Sequence, residues 1–132
     1  MANNAVATDI ITTGVAVKAA GTTTAIDLER FTHSNNRATY TGAIIQKFKV
    51  TATLSLTAGN NVQVGCYVAK NGTLPPESEV YATTAGAGRA ENISIQAILT
   101  LAQNDFVEIW VENSTNNTDI TVTYLNVIVS IA

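Results

Sequence analysis

Apolar and polar residues alternate with a period of two through much of the chain. From Ile44 to Leu56 the even positions are Ile44, Gln46, Phe48, Val50, Ala52, Leu54 and Leu56, while Lys47, Lys49, Thr51, Thr53 and Ser55 hold odd ones. Successive side chains of a strand point to opposite faces, so this spacing predicts a strand with one face in a core and one polar. Thr57 to Asn61 supplies turn chemistry, and Val62, Val64, Cys66 and Val68 then form the inward set of a second strand. Asn71-Gly72 and Pro75-Pro76 predict an exposed loop from Lys70 to Glu79, and the Gly/Ala stretch from Ala82 to Ala90 predicts another.

The clearest pattern lies between Ile93 and Glu112. Ile93, Ile95, Ala97, Leu99 and Leu101 make one inward set, and Val107, Ile109 and Val111 make the next, across a polar turn from Ala102 to Asp105. The spacing predicts a β-hairpin. Its opposite face carries Ile98, Phe106 and Trp110 beside Glu108 and Glu112, and large apolar residues pointing outward predict a covering partner. The last strand, Asp119 to Ala132, changes phase near Tyr124, from Ile120, Val122 and Tyr124 to Leu125, Val127, Val129 and Ile131. A β-bulge, or cover on both faces, accounts for such a flip, and either predicts a central strand.

The first 40 residues are less periodic. Gly14 to Ala19 and Thr23 to Phe31 are candidate strands, and residues 1–12 are read as an arm that orders against a neighbour, followed by one β domain over residues 13–132. No helical period of useful length appears, and Val, Ile and Thr recur throughout, so the fold class is all-β.

Composition narrows the classes of function. With 132 residues the chain buries a core without staples, and charged residues make up only 13%, which leaves a surface of Thr, Ser, Asn and Gln. A net charge of −3 with scattered basic residues argues against nucleic-acid binding. The start, MANNAVATDIITTG, lacks a basic segment followed by an apolar run, so no secretory signal is expected, and no apolar run is long enough for a membrane span. Cys66 is the only cysteine, is read as a small buried hydrophobe, and can form no disulfide within the chain.

Catalytic chemistry has little to work with. His33 is the only histidine, and one His with one Cys falls short of a zinc set or a nucleophile–base pair. Asp105, Glu108, Glu112 and Asp119 are the candidates for an acidic pair or a Ca²⁺ site, but Asp105 reads better as a turn residue and the two glutamates as a solvated or interface face. No metal, cofactor or catalytic residue is therefore expected. Tyr67, Phe106 and Trp110 are each out of phase with their strand's core residues; a subunit contact is favoured, with packing under a loop and sugar stacking as alternatives.

From about Gly42 to Ala132 the chain resembles the C1q/TNF-like jelly-roll superfamily, particularly its small members among phage virion proteins. The resemblance rests on FKVTATLSL, VQVGCYVAKNG, ITVTYLNVIVSIA, and LTLAQNDFVEIWVEN in place of the family's L-x-x-G-D-x-V-x-L, with Asn104-Asp105 where Gly-Asp is usual. It implies a two-sheet antiparallel jelly-roll sandwich forming a homotrimer, with strands 44–56, 106–112 and 120–131 around the threefold axis. Lys47 and Lys49 would then share a face with Glu108 and Glu112, and the subunit interface would draw on Lys47, Lys49, Tyr67, Phe106, Glu108, Trp110, Glu112 and Tyr124. The function implied is non-enzymatic: a virion-surface protein of a tailed phage, either a capsid decoration (cement) protein on the major capsid protein or a head-fibre or spike subunit. The alternative is a C1q-like or lectin-like module that binds host glycans.

Overall fold

The computed structural model describes all 132 residues. Nine strands follow in chain order: β1 (Val17–Lys18), β2 (Phe31–Ser34), β3 (Arg37–Tyr40), β4 (Gln46–Thr57), β5 (Gln63–Lys70), β6 (Val80–Thr83), β7 (Glu91–Leu101), β8 (Phe106–Asn113) and β9 (Thr121–Ile131). A single 3₁₀ turn at Pro76–Ser78 is the only helical piece. The strands form two antiparallel sheets, one of order β2-β3-β8-β5-β6 with β1 also paired to β8, the other of order β7-β4-β9. The chain is an all-β, two-sheet sandwich in which β4 to β9 pass repeatedly from one sheet to the other.

The core forms where the alternating sets meet. Phe48, Val50, Ala52, Leu54 and Leu56 of β4, the odd residues from Ile93 to Leu101 of β7, and Val107, Ile109 and Val111 of β8 are all buried between the sheets with Val62, Val64, Cys66 and Val68. At one end Phe31, Tyr40 and Phe48 pack edge-on or tilted with ring centroids 4.9–5.4 Å apart. The buried Tyr40 hydroxyl donates to the Ile44 carbonyl at 2.9 Å, which satisfies the one polar atom that ring carries inside. Ile44 itself is exposed, since β4 begins only at Gln46. Burial pushes the Cys66 thiol up to about 12, as expected of a thiol that packs as a hydrophobe.

Ile93 to Glu112 is not a hairpin. β7 pairs with β4 from Glu91 to Leu101, whereas β8 pairs with β5 and β3, so the turn at Ala102–Asp105 carries the chain across the core from one sheet to the other. The inward sets of β7 and β8 face each other instead of lying side by side. Alternation is the same in both arrangements, so the pattern alone does not separate them. The corner is held by Asp105, whose Oδ2 accepts from the Ala102 N–H at 2.9 Å and lies 2.9 Å from Lys70 Nζ, and by Asn71, which bonds to Asp105 Oδ1 and to the Phe106 N–H. The Ala102 N–H, Asn71 and Lys70 hold the Asp105 carboxyl at about 2, below the usual carboxylate range.

The bulge expected near Tyr124 is present: Ser55 pairs with Tyr124 and Leu56 with Val122, leaving Thr123 as the extra residue. It turns Tyr124 outward while Val122 and Leu125 both stay buried. β9 is not central, however; it ends its sheet and pairs only with β4. Residues 1–10 are likewise not a free arm. They run antiparallel along the outer edge of β9, with Leu125 N–H donating to the Met1 carbonyl, Asn4 N–H to Thr123, and a bridge between Thr8 and Ile120. Thr8 and Ile10 are buried there. Of the two candidate strands before residue 40, the first is reduced to β1. Thr23 to Arg30 is irregular, and the β2–β3 hairpin forms instead around Asn35-Asn36, both with positive φ.

Candidate functional site

The residues expected at an interface fall on opposite sides of the sandwich. Lys47, Lys49 and Tyr124 belong to β4 and β9, whereas Tyr67, Phe106, Glu108, Trp110 and Glu112 belong to β5 and β8 in the other sheet. Strands 44–56 and 106–112 are therefore not neighbours, and the expected lysine–glutamate face does not exist. The expectation failed because phase tells inward from outward but does not say which of two sheets a strand joins.

On the outward face of the six-stranded sheet, Glu108 is only 4% exposed and is surrounded by donors. Its Oε1 accepts from Arg37 Nε at 3.1 Å and Nη2 at 2.9 Å, its Oε2 from Trp110 Nε1 at 3.0 Å, and Lys18 Nζ stands 3.4 Å away. Burial opposes the charge, but the Trp110 and Arg37 hydrogen bonds and the two cations outweigh it and lower the Glu108 pKa. The Arg37 guanidinium lies 3.7 Å from the centroid of the Phe106 ring, a cation–π contact that covers part of that aromatic. Arg37, Lys18 and Trp110 thus make one buried-carboxylate network across β1, β3 and β8.

Glu112 anchors a second network four residues along the same strand and on the same face. It accepts from the Tyr67 hydroxyl at 2.7 Å and from Ser114 Oγ at 2.6 Å, with the Tyr81 hydroxyl at 3.5 Å. Tyr67 also bonds to Glu79. A phenol has one proton to give, so the two carboxylates share it. Burial, followed by these hydrogen bonds, raises the Tyr67 pKa and keeps the hydroxyl protonated. Gly65 makes room for Tyr81, since a Cβ there would come within 2.8 Å of that ring. Glu108 and Glu112 are buried and partnered within the chain, where the sequence suggested a solvated or interface face.

The outward face of the three-stranded sheet differs in kind. Register places Ile98, Lys49 and Ser130 in one row, and Gln96, Thr51 and Ile128 in the next. Ile98 is 66% and Ile128 57% exposed, and no carboxylate lies within salt-bridge distance of Lys47 or Lys49. Tyr124 closes one corner, with its hydroxyl on the Asn3 side chain. Asn and Thr side chains otherwise line this face, and the Ser55–Asn92 bond is a cross-strand contact on it.

The remaining chemical candidates are scattered. Asp119 accepts the Ile10 N–H at 3.0 Å, Asp105 serves its turn, and no group of three or more His, Cys, Asp or Glu is arranged to hold a metal ion. His33 Nε2 lies 2.6 Å from Thr23 Oγ1. Arg37, the residue that organises the buried Glu108, was missed in sequence; it sits next to the Asn35-Asn36 turn, and that dipeptide was the available signal for the hairpin that delivers it. No family model matches the chain, and no curated protein matches it.

Proposed function

We propose that the chain is a non-enzymatic structural protein of a tailed-phage virion, a trimeric capsid decoration protein or head-fibre or spike subunit, that assembles through the outward face of its three-stranded sheet. The observation that carries this reading is the uncovered patch of Ile98, Lys49 and Ile128, which spans two adjacent rows of the sheet. Exposed aliphatic side chains on a pleated surface with unpaired lysines and no carboxylates of its own suit contact with another protein surface. The two-sheet sandwich, with strands passing between sheets, agrees with the jelly-roll resemblance. Phe106 and Trp110 move out of the interface in this reading, since Arg37 and Glu108 already engage them.

Light scattering at micromolar concentration is expected to return the mass of three chains, and Ile98→Asp a single chain. A wild-type monomer would sink the trimer. Co-sedimentation with capsids lacking the protein tests the virion role, and failure to bind them overturns it. Deleting residues 1–10 is a poor test of shell binding, because that segment completes the edge of β9.

The glycan-binding alternative is favoured by one feature, the 44% exposed Tyr81 beside Glu79 and Glu112 on the six-stranded face. An aromatic plane flanked by acceptors suits a sugar. Binding to a glycan array that is lost in Tyr81→Ala but kept in Ile98→Asp would support it in place of the assembly reading.

A further inference from the structure

The outer edge of β9 is paired only along its first half. Leu125 turns its N–H and carbonyl away from β4 toward Met1, and Ala132 N–H bonds to Lys47 of β4, so the odd residues beyond Leu125 also point outward. Val127, Val129 and Ile131 therefore present backbone donors and acceptors with no strand against them. They border a groove of about 680 Å³ whose opposite wall is Thr23–Arg30 and whose lining includes Phe48, Val107 and Ile109. An unpaired edge beside an apolar groove is a template for an extended segment of another chain.

The same chain exposes a segment suited to that edge. In Thr24-Ala25-Ile26-Asp27-Leu28-Glu29 apolar and acidic residues alternate; Ile26 is 97% exposed and Leu28 44%, while Asp27 and Glu29 have no cation within salt-bridge distance. Its ends are fixed. Thr23 N–H donates to Asn36 Oδ1 at 2.8 Å, and the Arg30 carbonyl accepts from Thr41 N–H at 2.9 Å. This tethered segment lines the groove without pairing with its own β9: no backbone hydrogen bond joins Thr24–Glu29 to Val127–Ile131, and Ile26 stays exposed.

We propose that Thr24–Glu29 of a second copy docks on the Val127–Ile131 edge. Ile26 and Leu28 enter the groove, and Asp27 and Glu29 reach toward Lys49 and Lys47 across β9. Lys49 pairs with Ser130 of β9, so a docked strand lies about 10 Å from it, a gap that a lysine and an acidic side chain span together. The contact is heterologous, segment to edge, so repeating it closes a ring or extends a chain. It goes beyond the sheet-face trimer and stands without it.

Cross-linking tests the proposal. Two differently tagged chains, one carrying Ile26→Cys and the other Val129→Cys, the residue that faces Ile26 when Asp27 lies in the row of Ser130 and Lys49, are mixed and oxidised; a disulfide between the two tagged chains is expected, with the buried Cys66 silent. Ile26→Ser, a change at an exposed position, is expected to raise the dissociation concentration about tenfold or more, as is Ile131→Pro, which removes an edge N–H at a residue that is itself 61% exposed. The docking is overturned if the mixed chains cross-link no better than a control pair in which the exposed Ile11 carries the cysteine. It is also overturned if a chain bearing both cysteines links only to itself. Repeating the mixture in the Ile98→Asp background separates the two contacts: a surviving cross-link in a protein that never forms trimers keeps the edge docking while the sheet-face trimer falls.

Discussion

Lys18, Arg37, Glu108 and Glu112, on the outward side of the six-stranded sheet, all have partners in their own chain, whereas Lys47 and Lys49 on the opposite side have none. The six-stranded face looked like the interface in sequence because it holds Phe106 and Trp110, yet it is closed on itself. Trp110 gives its N–H to Glu108, Phe106 lies under Arg37, and Tyr67 is clamped between carboxylates. The three-stranded face, whose Lys47, Lys49 and Tyr124 were grouped in sequence with those aromatics, leaves Ile98 and Ile128 open to solvent. An aromatic residue out of phase with the core marks a contact, and the folded chain decides whether that contact is internal.

The contrast can be broken most directly at Glu108. Glu108→Ala leaves Arg37, Lys18 and the Trp110 N–H without their acceptor, and urea unfolding is expected to show a loss of about 3 kcal/mol. A loss below about 1 kcal/mol would mean that the six-stranded face is as loosely held as the other. Trp110→Ala removes a half-buried ring and one hydrogen bond, at about 2 kcal/mol, and the mass of the assembled particle is expected to stay unchanged. Dissociation in this variant would return Trp110 to the interface.

Asp105 gives a pH-dependent version of the same comparison. Its folded pKa of about 2 lies below the ordinary value of 3.8, so its contribution is fully present above the unfolded pKa and is lost as pH falls from about 4 through 2. The size expected is on the order of 1–2 kcal/mol, because the side chain is only partly exposed. Melting curves of the wild type and Asp105→Asn are expected to converge toward pH 2 and to separate by pH 5. Parallel curves would remove the carboxylate from the account of the β7–β8 corner.

Ile98→Asp is expected to cost the fold least, within about 0.5 kcal/mol in unfolding of the separated chain, while abolishing association. A large loss of chain stability would show that Ile98 is structural, and the two faces would no longer differ in kind.

The sequence by itself determined the strands with one buried face. The alternation through β4 and β7, the inward set of β5 and β8, and the phase change in β9 each follow from a local period of two, which any strand with one side in a core must show. Turn chemistry at Asn71-Gly72 was equally local. Which strands became neighbours was not local. Ala102 to Asp105 joins two strands of correct phase whether they pair with each other or cross the core, and only the competing partners β4 and β5 decide that they cross. The same distribution between sheets sent Lys47 and Lys49 to one side and Glu108 and Glu112 to the other, and brought Arg37, 71 residues away in sequence, onto Glu108. Tertiary structure alone decided these pairings, because side-chain spacing records which way a residue faces and carries no information about which strand will lie beside it.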